Sequence, residues 1–131
     1  MANQATAAFT IDSWEDEPFV AQGEVKLSRV RVTKTFSGEI VGTSTAALVM
    51  CGAQEGSAAY VGLEQMLVSV RGRAGSFVLQ HNATMTKTAQ SLSLTIVPDS
   101  GTGKLVGISG QGRIEIDAEG GHTLILDYEL G

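Results

Sequence analysis

Two side chains in this sequence have the types and spacing to do acid–base chemistry. Glu64 and His81 are the only acid and the only histidine of residues 60–81, YVGLEQMLVSVRGRAGSFVLQH. This stretch is two extended apolar runs joined by a glycine-rich turn with two arginines. A carboxylate and an imidazole on paired neighbouring strands suit general acid–base catalysis, which needs both groups within hydrogen-bond reach of one substrate. Alternation puts Tyr60, Gly62, Glu64, Met66 and Val68 on one face of the first run. Phe77, Leu79 and His81 share a face of the second. With the turn centred near Arg73, position 64 falls about opposite position 82, and a slip of one residue inverts the faces. An inward Glu64 in an apolar interior has its pKa raised by desolvation, which makes it the candidate base or acid near neutral pH. Two plainer readings stay open. Glu64 points outward or pairs with Arg71 or Arg73, and His81 is a satisfied core or rim residue.

Around this pair, Tyr60, Trp14, Phe77 and Tyr128 are candidate cavity walls, with Met66 and Leu79 supplying aliphatic surface. The chain has one Trp, two Tyr and four Phe, so aliphatic side chains must dominate any lining. Such a lining suits a small hydrophobic molecule oriented by a few polar groups. Packing is the competing use of the same aromatics.

Other chemical motifs fail on spacing. SGTGK at residues 100–104 lacks the first glycine of a phosphate loop, because Pro98 stands there, and Leu105 replaces the required hydroxyl. It reads as a turn or short helical corner. His81, His122 and the single Cys51 form no metal-ligand spacing, so neither metal nor cofactor is expected. No G-x-S-x-G elbow marks a nucleophilic serine. Cys51 reads as a small strand hydrophobe, with no partner for an intramolecular disulfide.

The elements that must position Glu64 and His81 are strands. Eight runs, at about residues 4–14, 23–36, 39–51, 60–70, 76–85, 91–97, 107–117 and 122–130, are rich in β-branched residues or alternate in polarity. Short turns join them: Ser37-Gly38, 52–57, 71–75, 98–103 and 118–121. The acidic group Glu15, Asp16, Glu17 and Pro18 reads as a loop after the first strand. A helix over residues 60–70 competes, since Tyr60, Leu63, Leu67 and Val70 also fit helical spacing, but Gly62 and the missing caps oppose it. Eight short strands predict an all-β fold, a closed eight-stranded antiparallel barrel, with a two-sheet sandwich as the alternative.

Composition sets outer limits. At 131 residues the chain is read as one domain, residues 1–131, too short for separate cofactor and substrate domains. Charged residues are 18% of it, below the roughly 25% of typical soluble domains. Low charge, together with strands apolar on both faces, predicts a homo-oligomer, dimer or larger. The net charge is −5 and the basic residues are scattered, which argues against nucleic acid. No 18-residue apolar run suggests a membrane span, and the N-terminus lacks a signal-peptide pattern, so a cytoplasmic location is expected.

The blocks W…E-P-F, TKTFSGEIVGTS, AYVGLE, GRAGSFVLQH, VPDSGTGKLVGISGQG and H-x-L-x-L-D-Y-x-L resemble a bacterial family described only as a domain of unknown function. The resemblance covers about residues 9–130. It implies an allene-oxide-cyclase-like, calycin-like barrel, with relatives that are cyclases or steer reactive small molecules. By that analogy the chain is a cofactor-free isomerase, cyclase or lyase, with Glu64 and His81 catalytic. The rival readings are a non-catalytic ligand carrier and a structural oligomer with a packed barrel.

Overall fold

Alternation of buried and exposed residues runs almost unbroken along the long strands, and the structure turns it into a closed wall. The computed structural model describes residues 3–20, 25–53 and 56–131. The expected strand start at Gly23 and the turn residues Gln54 and Glu55 lie outside the described residues. The strands are β1 (Asn3–Val20), β2 (Lys26–Gly38), β3 (Ile40–Gly52), β4 (Ala58–Val70), β5 (Arg73–Met85), β6 (Gln90–Ile96), β7 (Thr102–Gly103), β8 (Ile108–Ile116) and β9 (His122–Leu130).

All pairings are antiparallel. The order β4-β3-β2-β1-β9-β8-β6-β5 closes on itself through a β4–β5 ladder, giving a closed eight-stranded antiparallel barrel, with β7 a two-residue stub beside β5. No helix is present among the described residues, so the helical alternative for residues 60–70 is overturned. Closure explains why: β4 is paired along its whole length with β3 on one side and β5 on the other.

The acidic loop expected after the first strand is also corrected. β1 continues through Glu15, Asp16, Glu17 and Pro18 to Val20. Glu15 and Glu17 face outward opposite Arg31 and Arg29 in the β1–β2 register, and Arg31 approaches Glu15 to 3.8 Å. Cross-strand opposite charges support the ladder where intrinsic propensity does not.

One end of the barrel is packed and the other is not. Residues 97–108 fold over the first end. Leu105, fully buried, plugs it, and Ser100 and Thr102 accept hydrogen bonds from the backbone of Val78 and Ser76. The SGTGK segment is thus a structural closure, in which Thr102 and Gly103 form the short strand β7 where a turn or helical corner is expected, and the turn follows at residues 104–107. Beneath it Ile40, Met66, Val70, Phe77, Leu79, Leu94 and Leu126 form the main core. A second, smaller cluster of Val30, Val32, Ala46 and Leu48 lies toward the other end, with Met50 and Tyr60 against it.

Candidate functional site: a buried polar row beneath a cavity

Four polar side chains cross the interior between the two clusters, and the register places them. Lys34 on β2 pairs with Ser44 on β3; Ala46 on β3 pairs with Glu64 on β4; Gly62 on β4 pairs with His81 on β5. Ser44 is therefore one diagonal from Glu64, and Glu64 one diagonal from His81, so the row Lys34, Ser44, Glu64, His81 climbs across four strands on the inner face. Long side chains reach across such diagonals. All four are buried, with Lys34 8%, Ser44 3%, Glu64 2% and His81 3% exposed.

Glu64 is the centre of this row. His81 Nε2 lies 2.7 Å from Oε1, Lys34 Nζ donates to the same oxygen at 3.4 Å, and Ser44 Oγ donates to Oε2 at 2.5 Å. Burial pushes the carboxyl up. The His81 hydrogen bond, the Lys34 ammonium and the Ser44 hydroxyl together outweigh it and draw the pKa down to about 2. The expectation of a raised pKa is overturned: three donors solvate the anion better than the apolar interior repels it. The pairing with Arg71 or Arg73 is also corrected, because Arg71 instead bridges to Glu39 at 3.1 Å at the plugged end.

A carboxylate only accepts, so His81 Nε2 is the donor and the tautomer follows from the network. Its Nδ1 is buried with no partner. The Lys34 ammonium also stands 4.8 Å from the centre of the Phe9 ring, within the range of a cation–π contact.

Above the row lies a cavity of about 480 Å³, within the size range of small-molecule sites. Lys34 and His81 form its polar floor, Val32, Ala46, Leu48, Met50 and Ala83 supply walls, and exposed Trp14 and Ile116 stand at its mouth. Its side wall includes both edges of the β6–β8 seam. There only Leu94 with Gly112 and Thr95 with Gln111 are paired, and residues 90–93 and 113–116 carry no ladder pairing to each other.

The sequence-derived site residues divide accordingly. Glu64 and His81 come together. Tyr60 lines the cavity with its ring 6.0 Å from that of His81, burial raises its pKa, and Trp14 lies at the rim. Met66, Phe77, Leu79 and Tyr128 are in the main core at the plugged end, away from the cavity. They share the inward face, but they sit on the packed side of the polar row. Sequence reasoning misses Lys34 and Ser44. A lysine in phase with Val30 and Val32 on β2 is the available signal for the first, while nothing marks Ser44 among the many serines.

Fold and site together define a small all-β barrel, packed at one end, with a charge-paired polar floor under a cavity at the other. Residues 5–128 match the family model DUF3224, a protein of unknown function, and the chain belongs to that family. A solved structure of a protein with unknown function from the DUF3224 family of Shewanella oneidensis MR-1 is similar throughout. Its TM-score is 0.85 at 34% identity, covering 100% of this chain and 99% of that one. No curated protein matches the chain.

Proposed function

We propose that this barrel takes a small, mainly apolar molecule into the cavity and that His81 exchanges a proton with it. The observation that carries this reading is the unpartnered Nδ1 of a buried histidine that lines the cavity while its other nitrogen is fixed on Glu64. In the neutral ring, Nδ1 is a bare lone pair and hence a base. When it takes a proton, the imidazolium that forms already faces a carboxylate at 2.7 Å. Glu64, with its pKa near 2, is too weak a base to abstract the proton itself. It becomes the positioning residue behind His81. Lys34 supplies fixed positive charge where a substrate oxygen gains negative charge. Proton removal with oxyanion stabilisation is the chemistry of a cofactor-free isomerase, cyclase or lyase.

The test needs no knowledge of the natural substrate. N-phenyl-1-naphthylamine, a neutral apolar dye, should bind at one site per chain, and Ala83→Leu, which fills the cavity from β5, should abolish binding while the β-sheet circular dichroism persists. Base-promoted ring opening of 5-nitrobenzisoxazole should then proceed faster with the wild-type chain than with His81→Gln. Dye binding with equal rates for the two chains would leave a carrier and remove the base. Absence of binding by both this dye and the weak acid 4-nitrophenol would remove the site.

A further inference from the structure

We infer that the molecule this cavity accepts is a weak acid, such as a phenol, an enol or a 1,3-dicarbonyl compound, bound as its anion with its proton held on His81. The inference rests on the cavity being a binding site and adds the charge class of what it binds.

The row's own bonding narrows the choice. Both oxygens of Glu64 are occupied, Oε1 by His81 and Lys34 and Oε2 by Ser44, and the residue is 2% exposed. The carboxylate is therefore not offered to a ligand. What the floor offers is the ammonium of Lys34, which has three N–H donors and spends one on Glu64, and the ring of His81 with its free Nδ1. The other titratable groups around the cavity are Tyr60 on β4, beside His81, His122 on β9, whose ring lies 5.1 Å from that of Phe9, and Arg113 on β8, which is paired with Asp127 at 3.5 Å and Glu115 at 3.7 Å. No acid other than the enclosed Glu64, 2% exposed and outside the cavity lining, stands near the floor among the described residues.

Each ligand class meets this floor differently. A cation meets Lys34 with no carboxylate left to pair with. A purely apolar molecule leaves Nδ1 and the spare donors of Lys34 unsatisfied, and leaving a buried polar group without a partner is costly. An anion that arrives without a proton adds one uncompensated negative charge to a buried pair, Lys34 and Glu64, that already balances. A weak acid avoids all three problems. Its O–H or C–H bond breaks, the proton forms a bond to Nδ1, and the electron pair stays on the ligand, with no oxidant or reductant involved. The result is two adjacent ion pairs, ligand anion with Lys34 and imidazolium with Glu64, with zero net charge added. The apolar remainder of the ligand is left to Val32, Leu48, Met50 and Ala83.

4-Nitrophenol tests this directly, because its neutral and ionised forms absorb at separate wavelengths. At a pH where the free dye is mostly neutral, dye bound to the wild-type chain should show the ionised spectrum, equivalent to at least a tenfold shift in its acid ionisation. In His81→Gln the bound dye should revert to the neutral spectrum. Calorimetry of the unmutated chain provides a second readout: at a pH where the free dye is ionised, binding should take up close to one proton per site, measured as the dependence of heat on buffer ionisation enthalpy. Dye bound in its neutral form, or bound as the anion with no proton uptake, would overturn the charge class and leave the cavity reading intact. Binding of N-phenyl-1-naphthylamine without any binding of nitrophenol would do the same. If neither dye binds, both readings fall together.

Discussion

Glu64 and His81 meet across a diagonal of the β4–β5 ladder, with Nε2 2.7 Å from Oε1, because a two-residue turn sets the register. Val70 pairs with Arg73, and the turn residues Arg71 and Gly72 both have positive φ, 48° and 83°. Positive φ at both central positions is the mark of a type I′ hairpin, whose twist matches that of its strands. Glu64 consequently stands opposite Leu79, and the side chains of Glu64, Leu79 and His81 all point inward.

Removing the charge at the centre of the row should be expensive. Glu64→Gln leaves the Lys34 ammonium buried without a counter-ion, and breaking a buried pair by deleting one partner costs about 3–5 kcal/mol. Urea unfolding should show that loss as a lower midpoint. Lys34→Met added to Glu64→Gln should cost less than the sum of the two single changes, because the stranded charge is gone. Strict additivity would mean that the two groups do not stabilise one another.

Acid should destabilise this fold through the same carboxylate. Glu64 has a folded pKa of about 2 against an ordinary 4.5. A depressed carboxyl pKa contributes stability that is complete above the unfolded value, about pH 4.5, and is lost as the pH falls toward 2. The size is on the order of 3 kcal/mol. Glu39 and Asp12, held low by hydrogen bonds from Thr6 and Thr35, move the same way, so the wild-type curve contains all three. The diagnostic is the difference: stability against pH should be flatter in Glu64→Gln by about that amount over this window. Parallel curves for the two chains would contradict the assignment.

Much of this is legible in the residues. Alternation and turn chemistry define the eight strands, and Tyr60, Glu64 and His81 fall on one hairpin from residues 60–81 alone. Register is not legible. A glycine-rich turn centred at Arg73 and one centred between Arg71 and Gly72 fit the sequence equally well, yet they move the partner of Glu64 from position 82 to Leu79. The depth of the packed end is also hidden. Met66 and Glu64 are two residues apart on one face, but Met66 lies in solid core together with Leu105 while His81 borders open space. The Glu64 pKa is misjudged from sequence because two of its donors come from β2 and β3, thirty and twenty residues away along the chain.

Glycines at two places in this hairpin should respond differently to the same added methyl. Gly72 has open space where a Cβ would stand but a φ of 83°, so Gly72→Ala should cost about 1 kcal/mol of backbone strain. Gly62 stands directly opposite His81, and a Cβ there runs into the Ala47 carbonyl and the Leu48 side chain. Gly62→Ala should therefore cost more, about 1–3 kcal/mol, as β3 and β4 are forced apart. Thermal unfolding of the two variants in parallel checks the ranking, and a less stable Gly72→Ala would reverse it.

Charge is concentrated on one side of the barrel: Glu15 and Glu17 on β1, Arg29 and Arg31 on β2, Arg113 and Glu115 on β8, and Asp127 and Glu129 on β9. Apart from Arg73, which starts β5 at the turn, the outward positions along β3, β4, β5 and β6 are only Val, Leu, Ala, Ser, Thr, Cys, Asn and Gln, and Val41, Val49, Val61, Leu63 and Leu67 are 43–55% exposed. On a chain of net charge −5, a charge-free face is where a second copy can approach without like-charge contact. Three strands of 13 residues span roughly 14 by 43 Å, about 600 Å², close to the roughly 800 Å² per partner of a standard interface. Light scattering at micromolar concentration should therefore return twice the 13.7 kDa chain mass. Leu63→Glu with Leu67→Glu should return the single-chain mass with the circular dichroism intact, since both side chains are exposed in the isolated barrel. A wild-type mass near 13.7 kDa would mean that this face stays in water.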